Sequence, residues 1–398
     1  MTEGPTPPTE RIVSLDVLRG GAVLGILLIN VWLFSMPESV LFNPTVYGDF
    51  TGVNYWSWFL SHVFAELKFI TLFSALFGAG IVLFVERKQS ATQSALALHF
   101  RRTVLLILIG LAHAYLLWYG DILVSYGLCG LGFVFLARRE PSVQAALGLV
   151  FLAVPSVLNL SLALSTGSEA VAGQWAPAET VIRNEIATYR GGWVEQLSHR
   201  LPAAVERQTS GFIGQTLWRV GGTVLLGMAF YRWGVLSGDR SARLYRLLLA
   251  GGVIGVVVTV AGVRYIEAND WSADAALFWR QFNYWASLLV AGGYVAVGTR
   301  YTQWRPDGVI TRALAAVGRM AFTNYLLQTV VATTVFYGHG LGLFGAVSRA
   351  EALVMVVCFW AVQVVLSVLW LRVFRFGPVE WLWRTLTYGE KQRLRRSE

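Results

Sequence analysis

Charge is scarce in this sequence. Of 398 residues, 14 % are Asp, Glu, Lys or Arg against 55 % hydrophobic, and the mean hydropathy is +0.55. A soluble domain carries about a quarter of its residues charged, so this chain cannot coat a globule with water-facing charge, and a water-soluble enzyme is excluded. Cysteine is scarcer still. Cys129 and Cys358 lie in apolar runs, which excludes a disulfide scaffold and predicts that both are packing residues. No glycine repeat is present, so collagen is excluded, and the apolar content excludes disorder. There is no G-x-x-x-x-G-K-[ST] loop and no H-E-x-x-H, so neither a P-loop NTPase nor a zincin is supported. The five histidines are scattered without the paired spacing that a haem or metal needs, so no metal or redox cofactor is expected. Acidic residues are short as well, 23 against 32 basic, for a net charge of +9. In so apolar a chain the partner of that excess is the anionic cytoplasmic leaflet, not nucleic acid.

What the sequence has in abundance is apolar stretches long enough to cross a bilayer core, about 20 residues each. Ten can be marked, at 16–36, 56–85, 103–119, 121–136, 142–165, 211–231, 247–266, 278–298, 320–338 and 351–371. The expected fold is therefore all-α: a polytopic integral membrane protein of about ten transmembrane helices. The third and fourth form a helical hairpin around Gly120–Asp121, and 56–85 is long enough to be bent or broken near Glu66–Lys68. Arg19 interrupts the first stretch and no small-residue cleavage site follows it, which argues against a removable signal peptide. With both termini cytoplasmic, 23 of the 32 Lys and Arg fall in inner segments, as the positive-inside rule requires. The resulting organisation is a mobile N-terminus (1–10), a five-span bundle (11–165), an outer loop (166–210) and a second five-span bundle (211–398). Within the loop, Pro177 to about Tyr189 reads as a helix lying over the outer face. The tail interleaves Trp381, Trp383 and Leu386 with Arg384, Lys391 and Arg393, the pattern of an interfacial helix.

Ionisable groups in hydrocarbon cost roughly 2.5–3.5 kcal/mol unless they face protein or a wet cavity, so the candidates are the residues that accept this cost. Asp16 and Arg19 share a helix face and can pair. They read either as a capped helix start with a snorkelling arginine or as a fixed cation for a phosphate or carboxylate at the cytoplasmic mouth. His62 and Glu66, four apart, stack on one face, where the carboxylate would orient the imidazole. The alternative for them is a surface pair at the outer boundary. Lys68 lies about 200° around a regular helix from Glu66 and leads into an apolar run, which places its ammonium inside the bundle facing an anion. His113 is the one titratable group in 103–119, about 15 Å from the inner end, with Asp121 eight residues on. It reads as a core histidine satisfied by a carbonyl, or as a general base or acyl carrier.

The motifs also carry a resemblance. Ser14-Leu15-Asp16-Val17-Leu18-Arg19-Gly20, Lys68-Phe69 with Leu72-Phe73-Ser74-Ala75-Leu76-Phe77-Gly78-Ala79-Gly80, and His113 with Trp118-Tyr119-Gly120-Asp121 resemble the YeiB-like family of bacterial inner-membrane proteins. The last third, with Gly318-Arg319-Met320-Ala321-Phe322-Thr323-Asn324-Tyr325 and Arg375-Phe376-Gly377-Pro378-Val379-Glu380-Trp381, is similar to that family's conserved C-terminal domain. The L-D-x-L-R-G opening is in turn similar to that of the transmembrane acyltransferases. That resemblance implies transfer of an acyl group from cytoplasmic acyl-CoA to a hydroxyl or amine of a sugar or glycoconjugate on the outer side. Many polysaccharide acetylators carry a histidine eleven residues after the motif arginine, where this chain has Asn30, and an amide cannot be the base.

The expected roles follow. Asp16, Arg19, Arg101 and Arg102 hold the cofactor phosphates, His113 oriented by Asp121 is the base with His62–Glu66 second, and Lys68 or Asn30 stabilises the oxyanion. The rival readings are a transporter for a small anionic or lipid-linked solute, with Lys68, Arg19 and His113 as its site, and a non-catalytic lipid-binding subunit. Membrane lipids are partners in all three, and oligomerisation is compatible with each.

Overall fold

A computed structural model describes residues 11–88, 95–167 and 169–396, so the expected mobile segment 1–10 lies outside the described residues. The described residues are helical, with no strand beyond one isolated bridge between Phe374 and Arg395. The helices are α1 (Val13–Ser35), α2 (Gly52–Phe64), α3 (Lys68–Lys88), α4 (Ala95–Ala112), α5 (Leu123–Phe133), α6 (Pro141–Thr166), α7 (Glu169–Trp175) and α8 (Glu179–Arg190). They continue as α9 (Leu197–Gln208), α10 (Leu217–Arg232), α11 (Ala242–Ala268), α12 (Ala273–Trp304), α13 (Val309–Arg319), α14 (Ala321–Phe336), α15 (Arg349–Val373) and α16 (Pro378–Tyr388). Helix α8 occupies the expected loop helix, and α16 the expected tail helix.

Six described segments are long and apolar enough to cross a membrane: Val13–Ser35, Gly52–Glu86, Ala95–Leu117, Pro141–Ser165, Ala242–Ala268 and Arg349–Val373. Helices also lie at the other four expected stretches: Leu123–Leu136, α10 and α14 are shorter, the last two at 16 residues each, and the 32-residue α12 carries Arg280, Gln281 and Asn283 within its apolar run.

The apolar surface divides by position. Of the best apolar window in α1, 72 % is buried inside the protein, against 22 % in α15, so α1 is the central post and α15 faces outward. Exposed Val354, Val357, Val365 and Leu366 on α15, with Leu149, Val150, Val157 and Leu158 on α6, form surfaces that suit acyl chains rather than water.

Glycine sets the closest helix contacts. A Cβ at Gly20 would lie 2.0 Å from the carbonyl oxygen of Leu314, and one at Gly318 1.9 Å from that of Asp16, so α1 and α13 touch backbone to backbone. That contact brings Arg319 beside the Asp16–Arg19 turn.

Between α2 and α3 the chain breaks at Ala65–Leu67, where the expected kink falls. Leu67 adopts a φ of 64°, a left-handed conformation that is unfavourable for a residue with a Cβ. Lys68 therefore starts a new helix instead of continuing the old one.

Two ends of the bundle can be distinguished. The terminal end gathers the start of α1, the 233–241 loop, α13 and α16, tied by Ser14 to the Leu236 carbonyl and by Trp383 to the Arg102 carbonyl. The loop end gathers 36–51, α7–α9 and 337–348, tied by Arg190 to Phe344 and by Arg200 to Tyr115.

Candidate functional site

Three groups of ionisable residues lie in or beside the bundle. At the terminal end, Arg19 Nη1 is 3.1 Å from Asp16 Oδ1, the pairing that their spacing predicts. Arg11, Arg102, Arg319 and Arg384 are within electrostatic reach of this pair or of one another, and Arg375 and Arg396 of Arg11. Burial lowers the Arg319 guanidinium to about 10, with Arg11 adding to the effect, and burial likewise lowers Arg11 and Arg384. The Nε atoms of Arg319 and Arg384 are buried without a hydrogen-bond partner among the described residues.

The nearby Glu380 is within electrostatic reach of Arg384, but its carboxylate hydrogen-bonds elsewhere. It accepts the backbone N–H groups of Phe322 (2.8 Å) and Thr323 (3.1 Å) at the start of α14 and the Thr323 hydroxyl, satisfying donors that a helix start leaves open. Arg102 lies between the rings of Phe84 and Trp383, at 5.1 and 4.6 Å, whereas Arg101 is exposed beside Gly389.

The second group is His113, Asp121 and Thr329. His113 Nδ1 is 2.7 Å from Asp121 Oδ2, the reach expected from the sequence, and Nε2 is 2.9 Å from Thr329 Oγ1. A π-helical turn at His113–Leu117 precedes the hairpin, and Asp121 Oδ1 caps the Val124 N–H at 2.9 Å. The side chains of His113 and Asp121 are each 1 % exposed. Both imidazole nitrogens are occupied, so this histidine has no lone pair available to a substrate as it stands. The sequence offered this histidine as the base; Thr329 of α14, far away in sequence, is the neighbour on its Nε2 side.

The third group surrounds the α2–α3 break. His62 Nδ1 is 2.6 Å from Glu66 Oε2, and the imidazole is stacked between Trp58 and Trp279, with centroids 5.1 and 5.3 Å away. His62 is buried, which corrects the surface-pair alternative, while Glu66 remains 26 % exposed. Lys68 Nζ donates to the His62 carbonyl at 2.6 Å and to Asn283 Oδ1 of α12. It was expected to face an anion, and the Glu66 carboxylate is within its electrostatic reach; its ammonium also satisfies a backbone carbonyl that the helix break leaves without a helical donor.

A narrow hollow with room for about one water-sized group, roughly 10 Å³, borders His62 and Glu66. Its other walls are Ile29 and Trp32 of α1, Val40, Leu41, Trp58 and Arg349. Asn30 is half-buried on α1, next to Ile29.

Sequence reasoning paired the right carboxylates with the right histidines but missed Thr329, Asn283, Trp32 and Arg349. The available signals were faint: Asn283 belongs to an otherwise apolar stretch that also contains Arg280 and Gln281, and Thr329 follows Gln328. No group of three or more metal-type ligands occurs among the described residues.

An all-helical chain with membrane-length apolar helices and buried ionic groups in its interior defines a membrane protein class, and comparison places it within that class. The chain belongs to the YeiB family. It is 38 % identical over 389 residues to the uncharacterized protein YeiB of Escherichia coli (strain K12), covering 95 % of this chain and 96 % of that one. It is 33 % identical over 400 residues to the uncharacterized protein YxaH of Bacillus subtilis (strain 168), covering 96 % of each. A 39.9 kDa protein in the amylase 3′ region of Bacillus acidopullulyticus is 25 % identical over 395 residues. The family model described as a protein of unknown function, DUF418, matches residues 230–390, the part that supplies Asn283, Arg319, Thr329, Arg349 and Glu380 to the three groups.

Proposed function

We propose that the protein is an integral-membrane acyltransferase of the bacterial inner membrane, with ten crossings and both termini cytoplasmic. Acyl-CoA binds at the terminal-end arginines and the acyl acceptor, a sugar or glycoconjugate, at the hollow beside His62. The observation that carries this reading is the pairing of a carboxylate-held imidazole, His62–Glu66, with a hollow, while an under-neutralised arginine group lies at the opposite end. The resemblance of the L-D-x-L-R-G opening to transmembrane acyltransferases supports the same assignment, and the distribution of Lys and Arg supports the orientation.

In this reading Arg19, Arg319 and Arg384 take the phosphates through charge-assisted hydrogen bonds, with Arg102 held beside them by its ring contacts. Ten to thirteen residues of α1, about 15–20 Å, separate Arg19 from Ile29 and Trp32, a span for the extended thioester arm. His62, donating Nδ1–H to Glu66, accepts the acceptor's proton at Nε2. The acceptor's oxygen or nitrogen bonds to the acyl carbon, the C–S bond breaks, and the proton passes to the departing thiolate. Lys68 positions His62 through its carbonyl, and Asn30 is available to the oxyanion. His113–Asp121–Thr329 braces α4 against α14.

The test is release of CoA from acetyl-CoA by the full chain in lipid nanodiscs with candidate sugars. Turnover that His62→Ala abolishes is expected; turnover unaffected by that change refutes the base assignment. A transporter for a small anion is the second reading, favoured by the helix break that begins α3 inside a membrane-length segment. Uptake of an unmodified labelled solute into liposomes, without CoA release, would establish it instead.

A further inference from the structure

The hollow beside His62 presents few polar atoms, and most are already used. Glu66 is bonded to His62 Nδ1, and its charge is answered by Lys68 and Arg280 as well as by the imidazole. Arg349 donates to the carbonyls of Pro44, Tyr47 and Asp49 at 2.5, 3.0 and 2.8 Å. Two atoms are left over. Trp32 Nε1 and His62 Nε2 are buried, belong to residues that line the same hollow, and have no partner among the described residues. Trp32 is 4 % exposed and His62 3 %, so water outside the protein does not satisfy them. Buried polar atoms of native proteins are rarely left in this condition without a reason.

The two atoms differ in what they require. Indole Nε1 can only donate. Because the Glu66 carboxylate fixes the proton of neutral His62 on Nδ1, Nε2 can only accept. The group that completes the pair gives one hydrogen and accepts one, and the hollow has room for about one water-sized group.

We propose that this is a hydroxyl site: Trp32 Nε1 donates to the oxygen of an alcohol whose O–H donates to His62 Nε2, so the acyl group goes to oxygen and not to nitrogen. This rests on the acyl-transfer reading and narrows its acceptor to an alcohol. An ammonium has hydrogens to give and no lone pair, and leaves the indole N–H unsatisfied, so an amine must shed a proton before it can occupy the site. A carboxylate has no hydrogen for Nε2, and a phosphate is too large for a hollow with room for about one water-sized group. The rest of the acceptor remains outside the hollow. Trp32 thereby becomes a substrate-binding residue that holds the attacking oxygen while His62 removes its proton.

The experiment supplies the full chain in nanodiscs with acetyl-CoA and either methyl glucoside or the methyl glycoside of glucosamine, and separates hydroxylamine-labile esters from amides by mass spectrometry. Ester is expected from both and amide at least about tenfold more slowly. Trp32→Phe, which keeps an aromatic ring but removes the donor, is expected to cut ester formation about tenfold. Amide formed as readily as ester, or an unchanged ester rate in a monodisperse Trp32→Phe protein, overturns the proposal while leaving acyl transfer standing. If neither acceptor is acylated, the acyl-transfer reading falls, and the hydroxyl site is decided by high-resolution density for the wild-type protein. A water within hydrogen-bond distance of both Trp32 Nε1 and His62 Nε2 supports it; a dry hollow or a protein partner for either atom overturns it.

Discussion

Two histidines in this bundle are gripped alike at Nδ1 and differ at Nε2. Asp121 holds His113 at 2.7 Å and Glu66 holds His62 at 2.6 Å, so a search for carboxylate-oriented imidazoles ranks them equally. Thr329 then occupies the second nitrogen of His113, whereas the second nitrogen of His62 has no protein partner and its ring borders a hollow. The pair exposes 1 % of each side chain in the first case and 3 % and 26 % in the second. In the proposed reading, burial with complete hydrogen bonding makes His113 a brace, and burial with one lone pair left open makes His62 the reagent.

The largest expected effect tests the open member. His62→Ala should reduce acyl transfer by roughly 10²–10⁴-fold, the range for loss of a general base, and lower the melting temperature as well, because the imidazole is buried between Trp58 and Trp279. CoA release in nanodiscs measures the first and a melting curve in detergent the second. If His113→Ala abolished turnover in a protein that melts normally, the assignments of the two histidines would be exchanged.

The closed member should respond in stability. His113→Ala leaves buried Asp121 Oδ2 without its hydrogen-bond partner, a change that costs about 1–3 kcal/mol, read as a lowered melting temperature. Thr329→Val removes only a neutral hydrogen bond and should cost about 1 kcal/mol. A Thr329→Val protein that melts like wild type would show that the relay does not brace α4 against α14.

How much of this contrast was legible beforehand follows from the range of the interactions. Helix positions, the break near Glu66–Lys68, the Gly120–Asp121 turn and all three acid–base pairs are local. Residues three to eight apart meet by helical periodicity or a tight turn, so composition and spacing were sufficient. What decides brace or reagent is long-range: Thr329 reaches His113 across 216 residues, and Asn283 reaches Lys68 across 215. Nothing local specifies those contacts. The arginine group was half legible for the same reason, since the Asp16–Arg19 turn was visible and the approach of Arg319, set by glycine contacts between α1 and α13, was not. The count of ten crossings rested on apolar runs alone, and six segments among the described residues satisfy length and apolarity together.

In the proposed acyl-transfer reading, the arginine group at the terminal end separates binding from proton transfer. Hydrogen bonds to charged groups contribute about 1.5–3 kcal/mol, so Arg319→Gln or Arg384→Gln should raise the KM for acetyl-CoA roughly 10- to 100-fold. The maximal rate should remain close to wild type in both variants. A fall in the maximal rate with KM unchanged would place these arginines in a bracing role like that of His113.

The smallest effect concerns the loop that lies over the open member. Glu185 of α8 accepts the Glu38 backbone N–H at 3.0 Å, and Glu38 opens the short 3₁₀ turn Glu38–Leu41 that gives Val40 and Leu41 to the hollow. Burial, with the Glu38 carboxylate adding to it, pushes Glu185 up to about 7 from the usual 4.5. The native state thus holds this proton more tightly than the unfolded chain does. Its stabilising contribution is complete below about pH 4.5 and is lost as pH rises through about 7. His199 on α9, lowered by burial, works in the opposite direction and gains as pH rises through its unfolded value, so the comparison must be made against Glu185→Gln. Melting temperatures from pH 5 to 8 should fall more steeply with rising pH in wild type than in that variant. Because His113–Asp121 packs between α4 and α14 rather than under this turn, Thr329→Val should leave the wild-type slope in place; equal flattening in both variants would mean that the open and closed sites share one cooperative unit.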